Sequence, residues 1–186
     1  MSSKAAGTGP AGELRTSRLR LRPFTSADRC PLGAIHRDPE VTRFLNRVVD
    51  PARVDDVFWG LRDHWRRHGF GAFAMEPLQA LEPGGDRAIV GFVGVAYPTF
   101  IPALAHRPEL GWRLARAAWG RGLAFEGAVA AREHAERVLG LRLISIIHPD
   151  NVRSQRLAAR LGMSVERRVV NPVLQREVDV WSVAPA

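Results

Sequence analysis

Residues 109–128, ELGWRLARAAWGRGLAFEGA, pass from an apolar strand into a helix of small residues through Gly120, Arg121 and Gly122. Such a junction sets bare backbone and a cation at the mouth of a helix, where unpaired N–H groups meet the positive end of the helix dipole. The natural partner there is an anion, commonly a phosphate. The chain must therefore place a strand, a tight turn and a close-packed helix in succession, which calls for an α/β domain.

The flanking pattern agrees. LRLRPF, residues 19–24, alternates apolar residues with arginine as a half-exposed strand does. In TSADRCPLGAIHRD, Thr25, Ser26 or Asp28 can cap a helix, and Pro31 predicts a late start or a kink. DPARVDDVFWGLRDHWRRHG offers Asp50 as cap and Pro51 at the first helical position, with Val54, Val57, Phe58, Leu61 and Trp65 on one face. FGAFAM and RAIVGFVGVAYP read as strands around the turn EPGGD. The helix after the glycines carries Ala124, Ala128, Ala131, Ala135 and Val138 at spacings of four and three, a stripe that lets it lie close on a sheet. RLISIIHP is a further strand, and DNVRSQRLAARLGM is a helix capped by Asp150 or Asn151, with Ser154, Leu157, Ala158 and Leu161 inward. SVERRVV and REVDVWSV close the order as a strand pair. The expected fold is a single mixed α/β domain over residues 17–184, preceded by a disordered tail at 1–16.

Composition narrows the partner. The 186 residues hold 27 Lys and Arg against 19 Asp and Glu, a net charge of +8, which favours anionic ligands. No block of consecutive cations or interleaved aromatics marks a nucleic-acid surface, so that partner is disfavoured, although a basic nucleic-acid-binding module is the rival reading from another class. The single cysteine, Cys30, excludes an internal disulfide and is expected as a small buried residue in a reducing compartment. No apolar run is long enough for a membrane span or signal peptide, so a cytoplasmic location is expected.

Phosphate schemes can be compared by spacing. The P-loop sequence G-x-x-x-x-G-K followed by Ser or Thr is absent, and the dinucleotide fingerprint fails because Phe125 stands where its third glycine belongs. His64 and His68 stand four apart on a helix, but WRR between them lacks the glutamate of a zinc helix, so no metal is expected.

Four features together, LRTSRLRLRPFTSADR, ELGWRLARAAWGRGLAFEGA, HPDNVRSQRLAARLGM and the strand order, resemble the GCN5-related N-acetyltransferases, and within them the ribosomal-protein alanine acetyltransferase branch. The resemblance spans residues 13–183. It implies a central, mostly antiparallel sheet with helices on both faces and a splayed parallel strand pair. It also implies acetyl-coenzyme A as cosubstrate, with its pyrophosphate on N–H groups from Arg116 to Gly122. The family's middle motif begins with Gln or Arg; here AAWGRG keeps both glycines, places Ala117 first and has Arg116 one residue earlier. Trp112, Leu114, Arg116, Ala117, Gly120, Arg121, Gly122, Leu123, Ala124, Asn151 and Ser154 are the cofactor-binding positions carried over.

Amine acetylation needs a base, donors for the oxyanion and an acid for the thiolate. Backbone N–H groups from Trp112 to Leu114 are the expected oxyanion donors. Relatives place a tyrosine on the last helix; here that position is Ala158, and the single tyrosine is Tyr97. Ser154 is the alternative thiolate donor, against the bland role of a helix-face serine bonded to its own backbone. Glu109 is the candidate base, or else a solvated strand-end acid. His148 is a second candidate base, since histidine titrates near neutrality. Asn151 either caps its helix or contacts the cosubstrate. The acceptor, a protein N-terminus or a small amine, is expected between residues 40–50 and 170–177, in a monomer or homodimer. A coenzyme A sensor without turnover is a third reading, favoured by the absent tyrosine.

Overall fold

The computed structural model describes residues 12–45, 54–82 and 87–183. In β2, Leu19–Arg22, the two leucines are fully buried while Arg20 and Arg22 turn to the other face. Arginine is tolerated there because Glu13 and Glu76 answer Arg20, and Asp28 and Glu76 answer Arg22, at N···O distances of 2.7 to 3.6 Å. Asp28 also accepts the Thr25 N–H at 2.6 Å, so one carboxylate anchors both the strand and the start of α1, Arg29–Arg37. The α-helix begins late, at Arg29 after a 3-10 turn over Ser26–Asp28, so Pro31 falls within its first turn, where the missing N–H costs nothing. Cys30 beside it is exposed, contrary to expectation, because the face of α1 carrying Leu32, Ile35 and His36 is the one that packs inward.

After α1 come α2, Pro39–Thr42, and α3, Val54–His68; the proposed cap Asp50 and Pro51 lie outside the described residues. Then follow β3, Ala72–Pro77; β4, Gly91–Ala96; β5, Glu109–Leu114; α4, Leu123–Arg137; β6, Ile144–Ile147; α5, Val152–Arg160; β7, Met163–Asn171; and β8, Arg176–Val183. A short β1, Leu14–Arg15, pairs with β2 and buries Leu14. Leu14 and Arg15, inside the segment expected as a tail, therefore belong to the sheet, held by a core leucine and two ladder partners.

The eight strands form one sheet in the order β1-β2-β3-β4-β5-β6-β8-β7, antiparallel except for β5 beside β6. On one face α4 lies on β4 and β5 over Leu19, Leu21, Met75, Val93, Leu110 and Leu114. Ala128, Ala131 and Ala135 are buried as the stripe predicts, and a Cβ on Gly127 would sit 3.0 Å from Met75 and Val93. Val138 does not belong to that stripe: α4 ends at Arg137, and Val138 is 62% exposed. On the other face α1 and α3 cover Phe24, Ala72, Ala74 and Ile89 with Leu32 and Phe58. No described helix is long and apolar enough to cross a membrane.

Candidate active site

The parallel pair holds for a single register position, Glu109 beside Ile144, fastened by the Ile144 N–H to the Pro108 carbonyl at 3.0 Å. Beyond it the ladder gives way to side chains. Ser145 Oγ donates to the Leu110 carbonyl at 2.7 Å, and the Ile146 N–H turns to the Glu109 carboxylate. The Ala115 N–H reaches Val90 of the β4 side, so odd residues of β5 bond toward β4 and even ones toward β6. Trp112 and Leu114 therefore aim their N–H groups into the opening where β6 has departed. The Leu114 carbonyl on that side is closed by Trp119 Nε1 at 2.9 Å.

The opening runs into the glycine junction. Residues Arg116–Ala118 make a 3-10 turn that uses the N–H groups of Ala118 and Trp119 internally. From Gly120 to Phe125 the N–H groups have no acceptor among the described residues, and Gly122, the residue before α4, contributes no side-chain cap. Both Gly120 and Gly122 sit at left-handed φ, +72° and +76°, which turns the chain so that these donors converge. A run of convergent donors at the head of a fifteen-residue helix fits two linked phosphates.

The candidate cations are held nearby by acids. Arg116 pairs with Asp38 at 2.8 Å, and Arg121 donates to the carbonyls of Ala117 and Leu81 and to Glu82 at 2.7 Å. Ala117 is exposed, Leu123 buries its side chain in the core, and Ala124 is half-buried, so the last two face the loop with backbone only. A cation that sequence reading missed stands beside them: Arg18 donates to the Arg121 carbonyl at 2.8 Å and is held by Glu126. Its place depends on packing between β2 and α4, which no local pattern in the chain announces.

Ser154 accepts a hydrogen bond from Trp112 Nε1 at 3.3 Å, which leaves its own hydroxyl hydrogen without an acceptor among the described residues. Asn151 caps α5 by accepting the Ser154 N–H at 3.2 Å; the competing contact to a ligand falls to its amide NH₂. Both side chains lie on the α4 face of the sheet.

Glu109 lies on the opposite face. Its carboxyl keeps a narrow opening to solvent yet is surrounded by protein, and this desolvation pushes its pKa up to about 7, with the Ile146 N–H and Arg113 pulling the other way. Arg113, two pleats along, is pushed down to about 10 by burial. His36 of α1 meets Arg113 and is pushed down to about 4 by burial first and by that cation second. Sequence reading missed both residues, since only the register of β5 under α1 brings His36 onto Arg113, the cation that shares a strand face with Glu109.

The remaining candidates stand apart. His148 Nδ1 accepts the Asp150 N–H at 3.1 Å, and its ring packs on Phe44. It lines a cleft of about 380 Å³ with Asp150, Arg168, Arg176 and Glu177, at the end of β6 near the expected acceptor hairpin. Tyr97 packs against His64, His68 and Phe70. Both His64 nitrogens are engaged by backbone, Nδ1 with the Phe70 carbonyl and Nε2 with the Tyr97 N–H, so this histidine ties the chain just before β3 to the chain just after β4 and has no nitrogen left for a metal.

A family model for an acetyltransferase (GNAT) domain matches residues 18–164. The protein YkkB of Bacillus subtilis is 29% identical over 161 residues, 84% of this chain and 88% of that one. The crystal structure of an acetyltransferase from Agrobacterium tumefaciens superimposes with a TM-score of 0.78 at 26% identity, covering 98% of this chain and 99% of the other. A ribosomal-protein-alanine N-acetyltransferase from Brucella melitensis shares the fold, with a TM-score of 0.65 at 22% identity over 87% of this chain and 96% of its own. With the family's sheet, its parted strands and its glycine-headed helix all in place, the chain belongs to the GNAT acetyltransferase family.

Proposed function

We propose that this chain transfers an acetyl group from acetyl-coenzyme A directly to a primary amine. The observation that carries the reading is the parting of β5 from β6 after one register position, which opens a slot with Glu109 on one face and Ser154 on the other. Acetyl-coenzyme A would supply an activated thioester. Free N–H groups from Gly120 to Phe125 are positioned to hold its phosphates, and Trp112 and Leu114 offer strand N–H groups to its amide-bearing arm and to the carbonyl under attack. Glu109 takes the amine proton. A carboxyl titrating near 7 is a better proton acceptor than an ordinary one yet is substantially ionised at neutral pH. Ser154, its oxygen occupied by the Trp112 donor, presents its hydrogen to the departing sulfur.

The test is release of coenzyme A thiol across a panel of small amines, lysine peptides and free N-terminal peptides, with calorimetric titration of coenzyme A alongside. The expected result is micromolar-range binding and amine-dependent thiol release that Glu109→Gln lowers by about 10² to 10⁴. Binding without release from any amine would identify a sensor. Absence of coenzyme A binding, with RNA binding that collapses as salt rises, would identify the basic-module rival.

A further inference from the structure

Arg113 is a half-buried cation without a close ion-pair partner among the described residues; the Glu109 carboxyl acts on it only at longer range. Its guanidinium lies 5.3 Å from the centre of the Phe92 ring, and one Nη donates to His36 Nε2. His36 is fully buried, stacks on Phe92 with planes 7° apart, and hydrogen-bonds the Leu32 carbonyl through Nδ1 at 2.9 Å. The Leu32 contact sets the tautomer: Nδ1 carries the proton and Nε2 is left to accept from Arg113. The imidazole thus orients the guanidinium without neutralising it.

The two arginines of β2 on this side, Arg20 and Arg22, each have carboxylate partners. No carboxylate among the described residues comes within ion-pair distance of Arg113. A guanidinium has five N–H donors, and His36 takes one. A charge without a close counter-ion is costly to surround with protein, and burial lowers the Arg113 pKa to about 10, which still leaves the guanidinium charged at neutral pH. Arg113 shares the face of β5 with Glu109, and the residue between them on that face is Gly111, whose absent side chain leaves nothing within 4 Å of the place a Cβ would take. The two charged groups therefore flank a bare stretch of strand, their Cα atoms about 13 Å apart at roughly 3.3 Å per residue.

We propose that Arg113 binds an anionic group of the acceptor, so that this enzyme acetylates amines bearing a carboxylate or phosphate a few bonds from the nitrogen. The proposal rests on the acetyl-transfer reading above. While the anion pairs with Arg113, the amine lies over Gly111 within reach of Glu109, which removes its proton as nitrogen bonds to the acetyl carbon and the carbon–sulfur bond breaks. Polyamines are disfavoured, since a second ammonium group would face the guanidinium.

Matched pairs test it: propylamine against β-alanine for the carboxylate, and ethanolamine against O-phosphoethanolamine for the phosphate. Each is measured by thiol release and, separately, by calorimetry on protein saturated with coenzyme A. At least one anionic member should show KM ten-fold or more below its neutral partner. Arg113→Met should abolish that preference and Arg113→Lys should restore part of it, with unfolding of both variants monitored by thermal melts. His36→Phe keeps the stack on Phe92 but removes the acceptor for Arg113. It should raise KM for the anionic substrate while kcat holds, a split that general loss of structure would not give. Equal preference in the wild type and Arg113→Met, or a wild type without preference for either anion, overturns the proposal; the second result does so even if Arg113→Met fails to fold. If no amine is acetylated, the acetyl-transfer reading fails by itself. The calorimetric arm then decides Arg113: binding of an anionic amine that the wild type shows and the variants lose supports it, and indifferent heats overturn it.

Discussion

At Glu109 the burial that makes the carboxyl useful also makes it expensive. With its pKa raised from an ordinary 4.5 to about 7, the folded chain retains a proton between those values that the unfolded chain has released. Stability from this group is complete below pH 4.5 and is lost as pH rises through 7. Glu109→Gln should therefore equal the wild type at pH 4 and exceed it at pH 8 by about 1 to 3 kcal/mol, read from urea melts. Activity should move oppositely, rising in the wild type through pH 7 as the base ionises. A variant that melts like the wild type at both pH values would show a solvated carboxyl, and the base assignment would go with it. In the sequence Glu109 reads equally as an exposed strand-end acid, because its surroundings are set by the folded sheet, where the Ile146 N–H reaches it from a strand thirty-seven residues away, and no local pattern encodes such a contact. Cys30 failed for the related reason that a small apolar residue near a helix start says little about which way that helix turns.

Among elements, those governed by local periodicity were legible and those governed by register were not. The alternation in residues 176–183 predicts β8 to the residue, and the alanine spacing predicts the face of α4. The parting of β5 from β6 has no periodic signature; it came from the family resemblance, and its physical cause, Ser145 and Glu109 taking over ladder partners, shows only in three dimensions. Glycines divide the same way. Gly120 and Gly122 announce a junction, whereas Gly94 in β4 looks like an ordinary weak strand residue. Yet a Cβ at Gly94 would lie 2.5 Å from the Gly71 carbonyl oxygen and 2.6 Å from Ala72 Cα, so β3 and β4 would have to separate. At Gly120 an added Cβ meets nothing within 4 Å, and only the left-handed φ resists it. Gly94→Ala should thus cost about 3 kcal/mol or more, against about 1 to 2 for Gly120→Ala, by denaturant unfolding. Titration should give the reverse order for coenzyme A affinity among the folded variants, because Gly120 shapes the donor loop and Gly94 does not. Equal costs for the two would mean that the sheet yields at β3 and β4.

Across the whole molecule, one carboxylate ties the beginning of the chain to the loop that would hold phosphate. Glu126 of α4 accepts from Thr16 Oγ1 at 2.5 Å, Ser17 Oγ at 3.0 Å, the Arg18 N–H at 2.8 Å and Arg18 Nε at 2.7 Å. Arg18 in turn holds the Arg121 carbonyl between the two glycines. The β1–β2 corner, α4 and the donor loop therefore form one braced unit, and loosening the brace should be felt both in stability and at the site. Burial pushes the Glu126 pKa up, but its donors outweigh this and hold it below the ordinary 4.5. For a depressed acid the stabilisation is fully present above the unfolded pKa and is lost as pH falls through the folded one. Glu126→Gln, which keeps the shape and removes the charge, should lower stability by roughly 1 to 3 kcal/mol at pH 7, where charge-assisted hydrogen bonds operate. The gap between wild type and variant should close as pH falls below 4.5 and through the lowered pKa of the carboxyl, where the wild-type group takes up its proton. In the same variant at pH 7, coenzyme A should bind several-fold more weakly although Glu126 touches no phosphate, because Arg18 no longer fixes the Arg121 carbonyl. A stability loss that persists undiminished after the wild-type carboxyl has been titrated to its acid form would assign the effect to packing in place of charge. An unchanged coenzyme A affinity beside a clear loss of stability would show that the loop keeps its shape without Arg18, leaving Gly120 and Gly122 as the features that set it.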